Sequence, residues 1–220
     1  KPKIVFLILL SGLLIPVILM LLTPPKKGEA LLIYCAAGMR KPMVEIARQY
    51  EAEYGVRIDL QFAGSGTLLA NAEASGKGDL YLAGDMSYIN IAQEKGLVNE
   101  HLSVCYLTAG LAVKKGNPLQ VSALAELRDN SGLRIVIANP EAASIGKFTE
   151  KILSRHNLFK DVSSRVLAMK PTVNELANDV KLGSADVAVV WDAVANQYSE
   201  LDFINVPEFD AETKTVAVGV

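Results

Sequence analysis

The sequence is poor in the residues that most often carry out chemistry. Its 220 residues include two histidines, His101 and His156, and two cysteines, Cys35 and Cys105, with no Cys-x-x-Cys spacing and no Cys/His cluster. A zinc centre needs three or four such ligands at short spacings, so no metal site and no resident cofactor is expected. No Ser/His/Asp, Cys/His or paired-carboxylate arrangement is marked either, and intrinsic hydrolase or oxidoreductase activity is not expected. Charge of one sign is also lacking: 22 Lys and Arg face 24 Asp and Glu, with a formal charge of −2. Without a basic stripe or a basic run interleaved with aromatics, nucleic acid is not an expected partner. Cys35 and Cys105 both fall in predicted strands, and either two reduced core thiols or one disulfide formed outside the cytoplasm accommodates them.

What the sequence does have begins with apolar length. Half of the residues are hydrophobic, enough for a sizeable core. From Ile4 to Leu22 no charge occurs, behind Lys1 and Lys3, and this is about the length that spans a bilayer as a helix. The run is longer than the core of an ordinary signal peptide, which favours an uncleaved anchor. Gly28-Glu29-Ala30 supplies small residues at a spacing that keeps cleavage open. Residues 1–30 are thus read as a signal anchor or signal peptide plus a stiff linker with Pro24 and Pro25, and the remainder as periplasmic or extracytoplasmic. Lys1 and Lys3 on one side balance Lys26 and Lys27 on the other, so charge does not set the orientation. At the other end, the apolar Val218-Gly219-Val220 lies inside a predicted strand, and the chain is expected to continue beyond it.

From Leu31 onward β-type runs alternate with helical patterns, the signature of an α/β architecture. Strands are predicted at Leu31 to Ala36, Val56 to Phe62 and Asp79 to Ala83. The helix between the first two carries Pro42 in its first turn and Met43, Ile46, Ala47, Tyr50 and Tyr54 at helical spacing before Gly55. Val104 to Lys114 is long for one strand and reads as a passage between lobes. Helices over Val121 to Arg128 and Ile145 to His156, strands over Leu133 to Ala138, Arg165 to Met169 and Ala185 to Trp191, and a capping box at Thr172 and Glu175 follow. About ten strands is large for one open sheet. Two lobes are therefore expected, one from about 31–108 and 200–220 and the other from about 109–199, with a second crossing near Asp192 to Phe203.

Two of the strands empty into small-residue turns where a helix starts, Ala37-Gly38-Met39 and Ala63-Gly64-Ser65-Gly66-Thr67. Helix starts leave N–H groups without intrahelical partners and carry the positive end of the dipole, so converging starts form a neutral cradle suited to an anion. Ligands in open α/β sheets bind at strand carboxyl ends. The candidate binding residues are accordingly Gly38, Met39, Ser65, Gly66, Ser144, Ile145, Val173, Trp191 and Asp192. The serines offer hydroxyl protons and the glycines close backbone approach.

The stretches Tyr34 to Met39, Phe62 to Leu68, Gly78 to Ala83, Asn139 to Gly146 and Ala185 to Trp191 resemble the molybdate-binding substrate-binding proteins of ABC transporters. The likeness spans about Leu31 to Val220. It implies a two-lobed type II periplasmic-binding-protein fold with a hinge, a monomer, an ABC permease as partner, and molybdate or tungstate as guest. In that family neutral hydroxyls and main-chain N–H groups hold the oxyanion. Ser65 falls on a family ligand serine, while Ile145, Val173 and Trp191 fall where relatives supply a backbone N–H or, at the last position, a tyrosine hydroxyl. Two departures stand out: Gly38 replaces a ligand serine and Trp191 the tyrosine. Ser144, or the N–H groups of Gly38 and Met39, are the available compensation. Glu141 and Asp192 next to the cradle are expected to point away as turn and cap residues, because a carboxylate beside an anion is unfavourable. Otherwise the guest is a metal ion or a different anion. A membrane-tethered sensor of the same ligand is the rival role.

Overall fold

The computed structural model describes residues 30–210 and 212–220; the charge-free run Ile4 to Leu22 lies outside them. Two five-stranded sheets form. The first takes β1 (Leu31–Ala36), β2 (Ile58–Ala63), β3 (Leu80–Ala83) and β4 (His101–Leu107) from the first half of the chain and β10 (Lys214–Gly219) from its end, in the order β2-β1-β3-β10-β4. The second takes β5 (Ala109–Lys114), β6 (Ile135–Ala138), β7 (Ala168–Lys170), β8 (Val187–Trp191) and β9 (Leu201–Ile204), in the order β7-β6-β8-β5-β9. The plans match: three parallel strands, then an antiparallel one, β10 in one sheet and β5 in the other.

The long run around residue 110 is two strands. Its passage between sheets is confined to Thr108, which separates β4 from β5. The expected return at about residue 200 needs correction. β9 pairs with β5 across Leu111↔Ile204 to Lys114↔Leu201, so the chain stays with the second sheet, and it crosses back only ahead of β10. Phe209, in a short helix, still packs on Phe148 of the second lobe with ring centroids 5.9 Å apart.

The helices, in chain order, are α1 (Arg40–Tyr54), α2 (Ser65–Ser75), α3 (Met86–Glu94), α4 (Glu126–Asp129), α5 (Ser144–Arg155), α6 (Phe159–Arg165), α7 (Val173–Leu182), α8 (Asp192–Ala195) and α9 (Pro207–Asp210). α1 ends at Gly55 with φ 69°, a left-handed cap that glycine adopts without strain. It buries Ala47 and packs Met43 on the core, while Ile46, Tyr50 and Tyr54 remain exposed. The expected helix from Val121 shrinks to the single turn α4, because Asn117 bonds both backbone groups of Val121 and Glu126 Oε1 accepts from Ser122 N and Ala123 N. The strand expected over Arg165 to Met169 is β7, which starts only at Ala168, since Arg165 still belongs to α6; the Arg165 guanidinium donates to the carbonyls of Arg128 and Asn130. α7 opens as expected, with Thr172 Oγ1 accepting from Glu175 N at 3.3 Å.

Cys35 on β1 and Cys105 on β4 are free. β3 and β10 lie between their strands, a separation of roughly 14 Å at about 4.8 Å per strand. That is about twice the Cα reach of a disulfide. Burial pushes the Cys35 thiol up to about 12. Among the described residues no helix is long and apolar enough to cross a membrane.

Candidate functional site

The carboxyl ends of the parallel strands of both sheets face one another, and between them lies a cavity of about 20 Å³. The first lobe lines it with Ala36 to Met39 after β1, Ala63, Gly64 and Ser65 after β2, and Gly84 after β3. Leu107, Ala143, Ser144, Ile145, Val173 and Trp191 complete the wall. No ionisable side chain is among these residues. Ser65 is the first residue of α2, Ser144 and Ile145 open α5, and Val173 opens α7. Their main-chain N–H groups therefore lie where no carbonyl of their own helix is in reach. Three helix starts and two hydroxyls converge on a small neutral space.

Ser65 is held at two points. Ser65 Oγ accepts from Gly84 N at 3.0 Å, and the Tyr81 hydroxyl donates to the Ser65 carbonyl at 2.8 Å. Burial raises the Tyr81 pKa further above its ordinary value, so the phenol stays a proton donor. Ser65 and Ser144 are 1% and 5% exposed.

The glycines beside Ser65 are explained by contact between lobes. A side chain on Gly64 would collide with the carbonyls of Ala142 and Pro171, and one on Gly66 with the carbonyl of Glu141. The Ala142 carbonyl accepts from Gly66 N at 2.9 Å and Thr67 N at 3.3 Å. Tyr88 donates from α3 to the carbonyls of Pro140 and Glu141 at 3.2 and 3.3 Å. Burial, then the charges of Asp85 and Glu141, push this phenol up to about 12, which keeps it a donor across the physiological range. On the far side Gln197 Nε2 donates to the Gly38 carbonyl at 3.1 Å and Lys41 Nζ to the Gln197 carbonyl at 2.7 Å. The lobes meet on both flanks of the cavity.

Gly38, Met39, Ser65, Ser144, Ile145, Val173 and Trp191 thus line one space, while Gly66 and Asp192 do not. The Gly66 N–H is taken by the Ala142 carbonyl, so this residue belongs to the seam between lobes. Asp192 turns to the backbone, where its Oδ1 accepts from Ala193 N at 2.7 Å and Thr108 N at 3.2 Å. It ties α8 to the crossing between β4 and β5. Glu141 is exposed and contributes its main chain to the seam. Gly38 has no room to spare: a Cβ there would stand 3.1 Å from Val194 and 3.3 Å from Val173. Gly84 and Leu107 escaped the sequence reading. The turn Ala83-Gly84-Asp85 closes a predicted strand, which is the signal that locates the former.

The profile of the bacterial extracellular solute-binding protein family matches residues 31–220. A binding protein of Haemophilus influenzae is 30% identical over 160 residues, 73% of this chain, and the chain spans less than two thirds of that relative, 65%. The molybdate-binding protein ModA of Escherichia coli is 24% identical over 173 residues, covering 75% of this chain and 67% of its own. Among solved structures, the periplasmic binding protein AfuA of Actinobacillus pleuropneumoniae, with fructose-6-phosphate bound, shares the fold. Its TM-score is 0.71 at 18% identity, over 86% of this chain and 73% of AfuA.

Proposed function

The chain belongs to the family of bacterial extracellular solute-binding proteins, and on that premise we propose that it captures a small oxyanion, molybdate or tungstate, for delivery to the permease of an ABC importer. The observation that carries this reading is the cavity itself. It joins three helix starts and the Ser65 and Ser144 hydroxyls, and it has no charged side chain in its wall. Within a largely apolar wall, the polar groups on offer are helix-start N–H groups and two hydroxyls, which favour a compact anion over a cation. The two departures at Gly38 and Trp191 leave Ser65 and Ser144 as the hydroxyl donors, aided by the N–H groups of Ile145 and Val173. Size points the same way. At about 20 Å³ the cavity is little larger than the 10–15 Å³ or so needed by one water. A tetrahedral oxyanion asks for a smaller parting of the lobes than a hexose phosphate does. In this reading Ile4 to Leu22 tethers the binder beside its permease.

Calorimetric titration of residues 31–220 with molybdate, tungstate, sulfate, fructose 6-phosphate and divalent metals tests the proposal, with Asp192→Asn as the discriminating variant. The carboxylate at 192 bonds only backbone, and asparagine keeps an acceptor there. Molybdate affinity is therefore expected to stay equal or to tighten as a nearby negative charge is removed. Tight binding of a divalent metal by the wild type, lost in Asp192→Asn, would replace the oxyanion reading with a cation one.

A further inference from the structure

Resting on that reading, we infer that Gly84, itself no ligand, is the positioning residue that makes the Ser65 and Ser144 hydroxyls a matched pair of proton donors. Two separate contacts meet at this one residue. The first is electronic. A serine hydroxyl has one proton and two lone pairs, and the Gly84 N–H occupies one lone pair of Ser65 Oγ at 3.0 Å. With that side of the oxygen taken, the hydroxyl proton is directed away from Gly84, towards the cavity both residues line. The Tyr81 phenol donates to the Ser65 carbonyl at 2.8 Å, which anchors the backbone from which the hydroxyl projects.

The second contact is steric. A Cβ on Gly84 would collide with Ser144 Oγ and would stand 3.4 Å from Ser65 Oγ. The two hydroxyls, one from each lobe, flank the Gly84 Cα. Gly84 does not have the positive φ that demands glycine elsewhere in this chain. Its backbone would accept alanine, and what forbids a side chain is the Ser144 hydroxyl. Position 84 therefore decides whether the second lobe contributes a hydroxyl to the guest. That contribution matters because position 38, in another first-lobe turn at the cavity, carries no hydroxyl, and a Cβ there would stand only 3.1 and 3.3 Å from the Val194 and Val173 side chains. A donor on each lobe also means that the anion binds best when the lobes are together.

The test is a double-mutant cycle on Gly84→Ala and Ser144→Ala in the full chain. It is read by calorimetric titration with molybdate and by thermal unfolding without any ligand. Ser144→Ala alone is expected to weaken molybdate about tenfold, the scale of one hydrogen bond to a charged guest. Gly84→Ala alone is expected to weaken it more and to lower the ligand-free Tm. The double variant, in which the colliding oxygen is gone, is expected to bind no worse than Ser144→Ala and to recover most of the Tm. Additive losses of affinity in the double variant, or wild-type affinity in Gly84→Ala, would overturn the inference. If the wild type binds neither molybdate nor tungstate, the oxyanion reading falls, and the ligand-free arm still decides the pairing. Recovery of Tm by Ser144→Ala supports it and absence of recovery overturns it.

Discussion

Replacing Ser65 by alanine removes one oxygen that accepts from the Gly84 N–H and that the proposed function also assigns to the guest, and the two losses are measured by different assays. For the guest, a hydrogen bond from a neutral donor to a charged acceptor is worth about 1.5–3 kcal/mol, or roughly ten- to a hundredfold in affinity. The upper half of that range is expected, because Ser65 is 1% exposed and no cation in the wall shares the charge. For the fold, the Gly84 N–H loses its acceptor at 3.0 Å. An orphaned buried donor costs about 1–3 kcal/mol. Here the cavity of about 20 Å³ adjoins the lost oxygen, and one water fits in about 10–15 Å³. Rehydration therefore holds the cost near 1 kcal/mol, a fall of about 2–4 °C in Tm for a domain of this size. Calorimetric titration with molybdate and ligand-free thermal unfolding read the two numbers side by side. Molybdate affinity within twofold of the wild type would refute the assignment of Ser65 as a donor to the guest. An unchanged Tm with unchanged exchange of the Gly84 amide proton would refute its second bond.

Gly66→Ala places a methyl where the Glu141 carbonyl sits and crowds the bond from Gly66 N to Ala142; it is expected to hold the lobes apart, enlarging the scattering radius of gyration and weakening molybdate at least tenfold, and an unchanged radius would count against the seam. Glu212 meets Lys151 at 2.8 Å, Arg155 at 2.6 Å and Lys214 at 2.9 Å. Hydrogen bonds from those three, Lys151 first, lower its carboxyl from about 4.5 to about 2. A depressed folded-state pKa means stability present above pH 4.5 or so and lost as the pH falls towards 2, so Glu212→Gln is expected to flatten that limb of the stability profile, and an acid limb identical to the wild type would contradict the linkage.

Alternating runs and cap residues along the chain were enough to place most strands and helix starts. Leu31–Ala36 and Thr172 with Glu175 were legible because a strand's apolar run and a helix cap are decided within a few residues. The turns that line the cavity were legible for the same reason: small residues and serines stand where several strands stop. The two-lobed plan followed from the strand count. What the sequence could not decide is every matter settled between distant segments. β9 stays with the second lobe because it pairs along β5, a pairing no local pattern encodes. The helix expected from Val121 gave way to the bonds of Asn117 and Glu126. Gly66 and Asp192 look like site residues by position, yet an N–H or carboxylate goes to whichever partner is nearest in space, here Ala142 for one and Thr108 with Ala193 for the other. Gly84 is the converse: in the sequence it is an ordinary turn glycine, and only the arrival of Ser144 from sixty residues further on, across the gap between lobes, gives its missing side chain a purpose. Local chemistry set the elements and their polarity, while the meeting of the two lobes selected which of the offered donors face the cavity.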